Sequence, residues 1–339
     1  MSFKHIKSQP HVIEQFQKAL AWKKIAHAYC FYGPKGSEKK RMAIELAKAI
    51  NCEVQEGDAC DHCTSCRQIE HGNHPDIVTI KPEGTYIKID QLRELQRQFR
   101  FAASVGVTRV VVIEMADQMR PEAANSLLKF LEEPTSPMLA ILITSHIQAM
   151  LPTILSRCQK VRFMDIPPEL KKEQLITHGI SDTVASIWAH LSIPVDELTQ
   201  FNIDDFKETS LHVKQWGKLV ISNQPEALLS IESDWMQVDK DKVHVSYVLE
   251  LLLIWMRDLV QIKLNREQEL AYIVYRDELK EDAFRCDMKS LLLMIENVMI
   301  ARRLLTKPQF QPRAVLEQMI LANQLHKISI ENNWQLIAT

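Results

Sequence analysis

Glycine is scarce, with 8 in 339 residues, about a third of the ordinary share of roughly 7%. So few turn formers exclude turn-rich all-β architectures and favour helices. No uninterrupted apolar run reaches the ~18 residues that a membrane-spanning helix needs. The longest candidate, Val248 to Val260, carries Glu250, Arg257 and Asp258. The opening Met1 to Lys7 has no apolar core of the signal-peptide kind, so a cytoplasmic protein without a membrane segment is expected. Neither sign of charge is in excess: 41 Lys+Arg against 43 Asp+Glu leave a net −2. No global positive field draws the chain to nucleic acid, and any such contact must use a local patch. A chain 46% hydrophobic and 25% charged is ordinary globular protein, which excludes disordered and collagen-like classes. At roughly 150 residues per domain the length suggests two domains, or three if some are small helical units.

What the chain does contain is an alternation of periods. Val12, Ile13, Phe16, Leu20 and Ile25 recur at roughly helical spacing across residues 11–28. Ala28 to Tyr32 then runs as a buried strand into Gly33-Pro34, and residues 42–50 resume helical periodicity. A strand is predicted at Asp76 to Ile80 and a helix from about Asp90, whose aspartate suits an N-cap. Val110 to Ile113 and Leu139 to Ile143 are continuous apolar runs, as strands buried on both faces require. Between them Pro121 to Glu133 reads as a helix with Leu127, Leu128 and Leu131 on its apolar face, opened by proline and stopped by Pro134. The expectation is an α/β domain with a doubly wound parallel sheet ending near residue 165. Beyond Asp165-Ile166-Pro167-Pro168 strand signals nearly vanish, and two all-α domains are predicted.

Gly33-Pro34-Lys35-Gly36-Ser37-Glu38-Lys39-Lys40 lies between strand and helix, where a phosphate-cradling loop belongs. Of the pattern G-x-x-x-x-G-K-[ST], only Gly33 and Lys39 are met. Glu38 stands where a glycine should let backbone approach phosphate, and Lys40 replaces the hydroxyl that would hold magnesium. A carboxylate about 4 Å from a phosphate costs roughly 4 kcal/mol at an effective dielectric near 20. On the strand ending at Glu114, that acid could hold magnesium, while Met115 cannot orient water. Thr144 and Ser145 end the next strand, where a polar group could sense a γ-phosphate or simply cap the strand. Arg157, in Ser156-Arg157-Cys158, is by spacing alone a solvated surface side chain.

Seven cysteines in a reducing compartment are not a disulfide framework. Four of them, Cys52, Cys60, Cys63 and Cys66, crowd into C-x7-C-x2-C-x2-C. Two C-x2-C turns can direct thiolates at one ion, which suits a structural tetrahedral Zn2+. A [4Fe–4S] cluster also takes four thiolates, but Arg67 stands where the familiar ferredoxin run has proline. The flanking Glu56, Asp58, Asp61, His62 and Thr64 are polar, which argues against four unrelated buried thiols. His62 is expected exposed rather than coordinating, and Cys30 and Cys286 are expected in the core.

Together, His27-Ala28-Tyr29, Gly33 to Gly36, the cysteine cluster, Asn125 to Pro134 and Ser156-Arg157-Cys158 resemble the bacterial clamp-loader ATPase family, an AAA+ group. The segment Pro308 to Leu325 resembles the last helix of the family's collar. The resemblance implies an AAA+ nucleotide-binding-like domain over 1–165 with a zinc module at 52–66. It further implies a small helical lid over 166–208 and an oligomerisation collar over 209–339. Glu38, Lys40 and Met115 are similar to the branch that keeps the fold and loses ATP chemistry. The resemblance implies that Arg157 reaches, as an arginine finger in trans, toward ATP bound by a neighbouring subunit. It implies gamma/tau and delta subunits as partners, with the sliding clamp and primer-template DNA met through the complex. Cys158 reads as a packed residue, since no histidine stands beside it. On the helix near 90–101, Leu92, Leu95 and Phe99 form one face and Arg93, Arg97 and Arg100 another. The resemblance makes backbone phosphate a reasonable partner for those arginines, and a solvated charged face is the equal alternative. Two rivals remain: a weakly active ATPase of the gamma/tau type, using Lys39 and Glu114, and a stand-alone zinc-containing DNA-binding protein.

Overall fold

The computed structural model describes residues 3, 6–54, 58–99, 106–132, 137–193, 202–238, 242–307 and 309–325. The chain divides into two compact units, Met1–Leu170 and Lys171–Thr339. In the first, the chain order is α1 (Pro10–Ala21), β1 (Ala28–Tyr32), α2 (Lys39–Asn51), α3 (Thr64–Glu70), β2 (Ile77–Ile80) and α4 (Ile89–Gln98). It continues with β3 (Arg109–Ile113), α5 (Pro121–Glu132), β4 (Met138–Thr144), α6 (Pro152–Leu155) and β5 (Gln159–Arg162). The five strands form one sheet in the order β2-β3-β4-β1-β5, and every pairing is parallel.

Period-2 alternation sorts the strand side chains onto two faces. Tyr29, Phe31, Val110, Val112, Leu139 and Ile141 pack with Phe16 of α1 and Met42 and Leu46 of α2. Cys30, Val111, Ile113, Ala140 and Leu142 pack with Leu92 and Leu95 of α4 and Leu127 and Leu131 of α5. Both faces are covered, which is why the central strands read as unbroken apolar runs. Each fully buried large apolar side chain contributes about 1.5–3 kcal/mol relative to exposure.

Two sequence expectations are corrected at helix ends. The first helix stops at Ala21 rather than continuing toward residue 28. Lys23 takes a left-handed φ of 53°, and the Lys24 N–H closes on the Ala19 carbonyl at 2.8 Å, a helix-ending turn in which lysine occupies the usual glycine slot. Ile25 then packs from the connection, half-buried. Asp90 is not the N-cap of α4, which is Lys88. There Gln91 Oε1 accepts from the Lys88 N–H at 2.9 Å, so Asp90 falls inside the first turn, where its charge suits the helix dipole. Helix α5 begins at Pro121 as expected, while Glu133 and Pro134 lie outside the described residues.

The second unit contains no strand among its described residues. Helix α7 (Pro168–Thr177) begins just before the divide, followed by α8 (Asp182–Trp188), α9 (Ile203–Ile221) and α10 (Glu226–Leu229). Next come α11 (Lys242–Lys263), α12 (Arg276–Arg285), α13 (Met288–Leu305) and α14 (Pro312–Gln324). The division at 208/209 falls inside α9. Helix α11 is buried almost all round, through Val248, Leu249, Leu251, Leu252, Trp255 and Leu259 among others, which accounts for the longest apolar stretch. Its two acids are both partnered. Glu250 takes Arg302 at 3.0 Å, and the fully buried Asp258 accepts from Arg257 at 2.9 Å and from the Tyr272 N–H at 2.7 Å. Burial still pushes that carboxyl above its usual range. No described helix is long and apolar enough to cross a membrane.

Candidate nucleotide and metal sites

In a sheet of this order the C-terminal strand ends beside β1 form the natural ligand crevice, because the connection from β1 runs to one side of it, to β2, and that from β4 crosses to its other side, to β5. Tyr32 of β1 pairs with Thr144 of β4, and Ile113 of β3 with Leu142. The loop 33–38, Glu114 and Thr144 are thereby brought to one edge. Gly33 is required by close approach: a Cβ there would lie 2.3 Å from the Phe163 carbonyl oxygen. Gly36 has φ 73° and Glu38 φ 60°, so Glu38 occupies in left-handed conformation the slot where the pattern has glycine.

One of the loop's cations, Lys39, is turned inward. Lys39 is 5% exposed, and its Nζ donates to the Gly33 carbonyl at 2.8 Å, to Ser37 Oγ at 3.1 Å and to the Pro34 carbonyl. Burial pulls this ammonium down to about 8, partly offset by Asp117 and Asp165. Ser8 Oγ donates to the Glu38 carboxylate. Lys40 Nζ lies 3.0 Å from Glu114, and Lys81 approaches the same carboxylate at 3.8 Å. The acid that could have held magnesium is therefore beside an ammonium. Met115 is 43% exposed and brings no polar group. Thr144 donates to Asp117 at 2.6 Å and accepts from the His146 N–H at 2.9 Å, a strand-end cap of the kind the alternative reading described. Ser145, next to it, is half-buried.

Arg157 lies in the turn between α6 and β5, half-buried, and its Nη1 donates to the Thr153 carbonyl at 2.9 Å. Its neighbour Cys158 is buried, and burial pushes that thiol up to about 12, with Cys30 at about 11. Neither thiol is available as a nucleophile at neutral pH. Cys286 is buried as well.

The four clustered cysteines converge from the end of α2 (Cys52), the following loop (Cys60), the N-cap of α3 (Cys63) and its first turn (Cys66). Their sulfurs all lie within 4.8 Å of one another. A tetrahedron with ~2.3 Å metal–sulfur bonds has edges near 3.8 Å, so the donor set fits a single ion. Backbone N–H groups point at the sulfurs: Cys60 N–H to Cys52 Sγ at 3.4 Å, Cys63 to Cys60 at 3.2 Å, and Cys66 to Cys63 at 3.3 Å. Burial, with the neighbouring Cys63 and Cys52 sulfurs, holds the Cys66 thiol well above the usual range against a lowering backbone N–H from Asp61. His62 is exposed, with its Nδ1 2.8 Å from the Cys60 carbonyl. Glu56 lies outside the described residues.

On α4, Leu92, Leu95 and Phe99 are buried. The exposed Arg93 pairs with Asp90 at 3.2 Å and Arg97 with Glu94 at 3.0 Å. The basic face is therefore partly neutralised from its own helix. Arg100 lies outside the described residues.

Several residues at these sites were not singled out from the sequence. Ser8 and Asp117 carry no local signal. Lys48 does: Arg41 and Glu45 stand i, i+4 and Glu45 and Lys48 i, i+3 on α2, one charged stripe on a different side of the helix from Met42 and Leu46.

A family model described as DNA polymerase III, delta subunit, matches residues 8–167. The chain is 32% identical to DNA polymerase III subunit delta′ of Bacillus subtilis over 317 residues, 93% of this chain and 96% of that protein. It is 35% identical to DNA polymerase III subunit tau of the same bacterium over 165 residues, 48% of this chain but 29% of that one. The solved structure of a DNA polymerase III gamma subunit-related protein from Thermotoga maritima aligns with a TM-score of 0.45 at 16% identity, over 92% of this chain and 98% of the other. At that likeness the assignment rests on the sequence relatives. An end-to-end match to subunit delta′, over a parallel α/β unit followed by an all-helical one, means that this chain belongs to the delta′ family of bacterial DNA polymerase III clamp-loader subunits.

Proposed function

We propose that this subunit does not hydrolyse ATP itself and acts as the rigid member of the clamp loader, lending Arg157 to ATP held by a neighbour. The observation that carries the reading is the Lys40–Glu114 contact at 3.0 Å. An ammonium beside the acid neutralises the charge that a magnesium ion would otherwise neutralise, without a ligand. Glu38 in the glycine slot and Lys39 folded onto the loop's own carbonyls act in the same direction.

Its partners are the gamma/tau and delta subunits, and the sliding clamp and primer-template DNA are met through the assembled complex. The helical segment from about 209 forms the oligomerisation collar, with 166–208 as the lid. Cys52, Cys60, Cys63 and Cys66 hold a structural zinc, which when bound supplies a tetrahedral cross-link of the first unit and no reaction step.

For Arg157 the chemistry follows from its fork. A planar guanidinium can hold two phosphate oxygens at once and cannot be deprotonated. Exchanging local hydrogen bonds, such as those to the Thr153 carbonyl and Ser156 Oγ, for a neighbour's γ-phosphate forgoes about 1 kcal/mol net apiece. Fingers of this type are worth about 10³–10⁵ in rate.

The test is reconstitution with gamma/tau and delta partners. Arg157→Ala should leave the assembly intact by size-exclusion chromatography and remove DNA-stimulated turnover at the adjacent site by about 10³-fold. Unchanged turnover in an intact assembly would overturn the assignment.

A further inference from the structure

Behind the cysteine cluster lies a knot of charges that no metal ligand belongs to. Lys48 of α2 is 2% exposed, and its Nζ lies 2.7 Å from Glu70, 2.8 Å from Asp61 and 3.1 Å from Glu45. Arg41 reaches Glu45 and Glu70, each at 2.5 Å. Exposed ion pairs hold geometry weakly, because water and side-chain entropy compete. A buried ammonium held by three carboxylates has less such freedom, because little water reaches it to replace a partner that swings away.

Three segments meet in this knot: α2, α3 through Glu70, and the turn between Cys60 and Cys63 through Asp61. Asp61 differs from the other acids. It lies within the metal-binding turn, between Cys60 and Cys63, and has a left-handed φ of 64°. The side chain of this left-handed residue is tied at 2.8 Å to Lys48 on α2, the helix that ends at Cys52.

We propose that Lys48 and Asp61 are positioning residues for the four-cysteine centre: the buried ammonium anchors the Asp61 side chain and so holds the turn that presents Cys60 and Cys63. A centre of four thiolates on a divalent ion carries excess negative charge, and N–H groups held in place stabilise it. Partners of this outer kind are worth about 10–100-fold in metal affinity. The inference rests on reading the four cysteines as a zinc site.

The experiment follows zinc transfer from the zinc-loaded full chain to a chromophoric chelator at constant pH. Asp61→Gly keeps the left-handed turn accessible and removes the anchored side chain, while also loosening the backbone. It should release zinc about tenfold faster than the unaltered chain, with a shifted cobalt(II) absorption spectrum after metal exchange. Asp61→Asn, which retains an acceptor for Lys48, should fall between the two. Glu70→Gln disturbs the same knot from outside the turn and should release zinc at the unaltered rate. Equal release from Asp61→Gly and the unaltered chain overturns the inference while leaving the zinc reading intact. Equal acceleration in Glu70→Gln and Asp61→Gly also overturns it, because the knot would then be general scaffolding. An unaltered chain that takes up no zinc overturns both.

Discussion

The two ends of helix α2 present opposite solutions to one problem. At its N-terminus the phosphate loop has its charges balanced from within: Lys39 on loop carbonyls, Glu38 by Ser8, Glu114 by Lys40. At its C-terminus four sulfurs converge within 4.8 Å of one another, and only an ion from outside balances four thiolates. One helix is common to both ends, and packing of its buried side chains is independent of which charges surround either end. If the proposed reading holds, side-chain charge is what separates the two.

The largest effect should come from the C-terminal end. Cys63→Ser removes a buried ligand and should abolish zinc uptake, lowering the stability of the first unit by at least about 4 kcal/mol. Metal analysis with thermal unfolding checks this, and an unchanged melting profile would erase the contrast between the two ends.

The N-terminal end should be convertible. Glu38→Gly with Lys40→Thr removes both internal charges, restores the left-handed glycine, and frees Glu114. Magnesium-dependent binding of a fluorescent ATP analogue should tighten by about 10²–10³-fold, reversing a repulsion of roughly 4 kcal/mol. Turnover should stay absent because Met115 is retained. A double variant that binds no better than the parent would mean that the loop's silence lies elsewhere.

Gly33→Ala probes the shared frame instead of the charges. With a Cβ 2.3 Å from the Phe163 oxygen and φ at +152°, it should cost about 2–3 kcal/mol in urea unfolding. A neutral outcome would show that this edge yields easily.

The smallest effect is electrostatic. Burial depresses Lys39 from 10.5 to about 8. Between those values the unfolded chain holds more protons at this site than the native one, so stability rises with pH, by at most about 1.4 kcal/mol per unit. Below pH 8 the cost of burying the charged form is present in full. Lys39→Met should remove that slope. A stability difference between the two proteins that stays constant from pH 8 to 10 would show that Lys39 titrates normally.

Much of the first unit was legible because its signals are local. The apolar runs in β3 and β4, the proline opening α5 and the spacing of the four cysteines each depend on neighbours a few residues away. So did the departures at Glu38, Lys40 and Met115. The misplaced cap at Asp90 shows the limit of such signals: aspartate is a good cap in general, but here Gln91 reaches back to Lys88 first. Arg109 shows another. It heads an apolar strand in the sequence, yet it is buried against Asp76, 33 residues away, at 3.1 Å. Ser8 and Glu38, 30 residues apart, are equally invisible to periodicity. The arginines of α4 are visible in the sequence, but their pairing with Asp90 and Glu94 depends on side-chain rotamers that spacing does not fix.

The residue order by itself determined the alternation of strands and helices, the four-thiolate donor set, and the loss of a hydroxyl and a glycine from the phosphate loop. All of these are written in spacings shorter than a helical turn or two. Tertiary structure decided which charge meets which. The order β2-β3-β4-β1-β5 sets the ends of β3 and β4 beside the loop after β1, and only then does Lys40 find Glu114. The packing of α3 on α2 likewise makes Lys48, on a charged stripe of α2, into the centre of a buried knot. Coulomb interactions depend on distance through space, and distance through space is set by the strand order and helix packing of the whole unit.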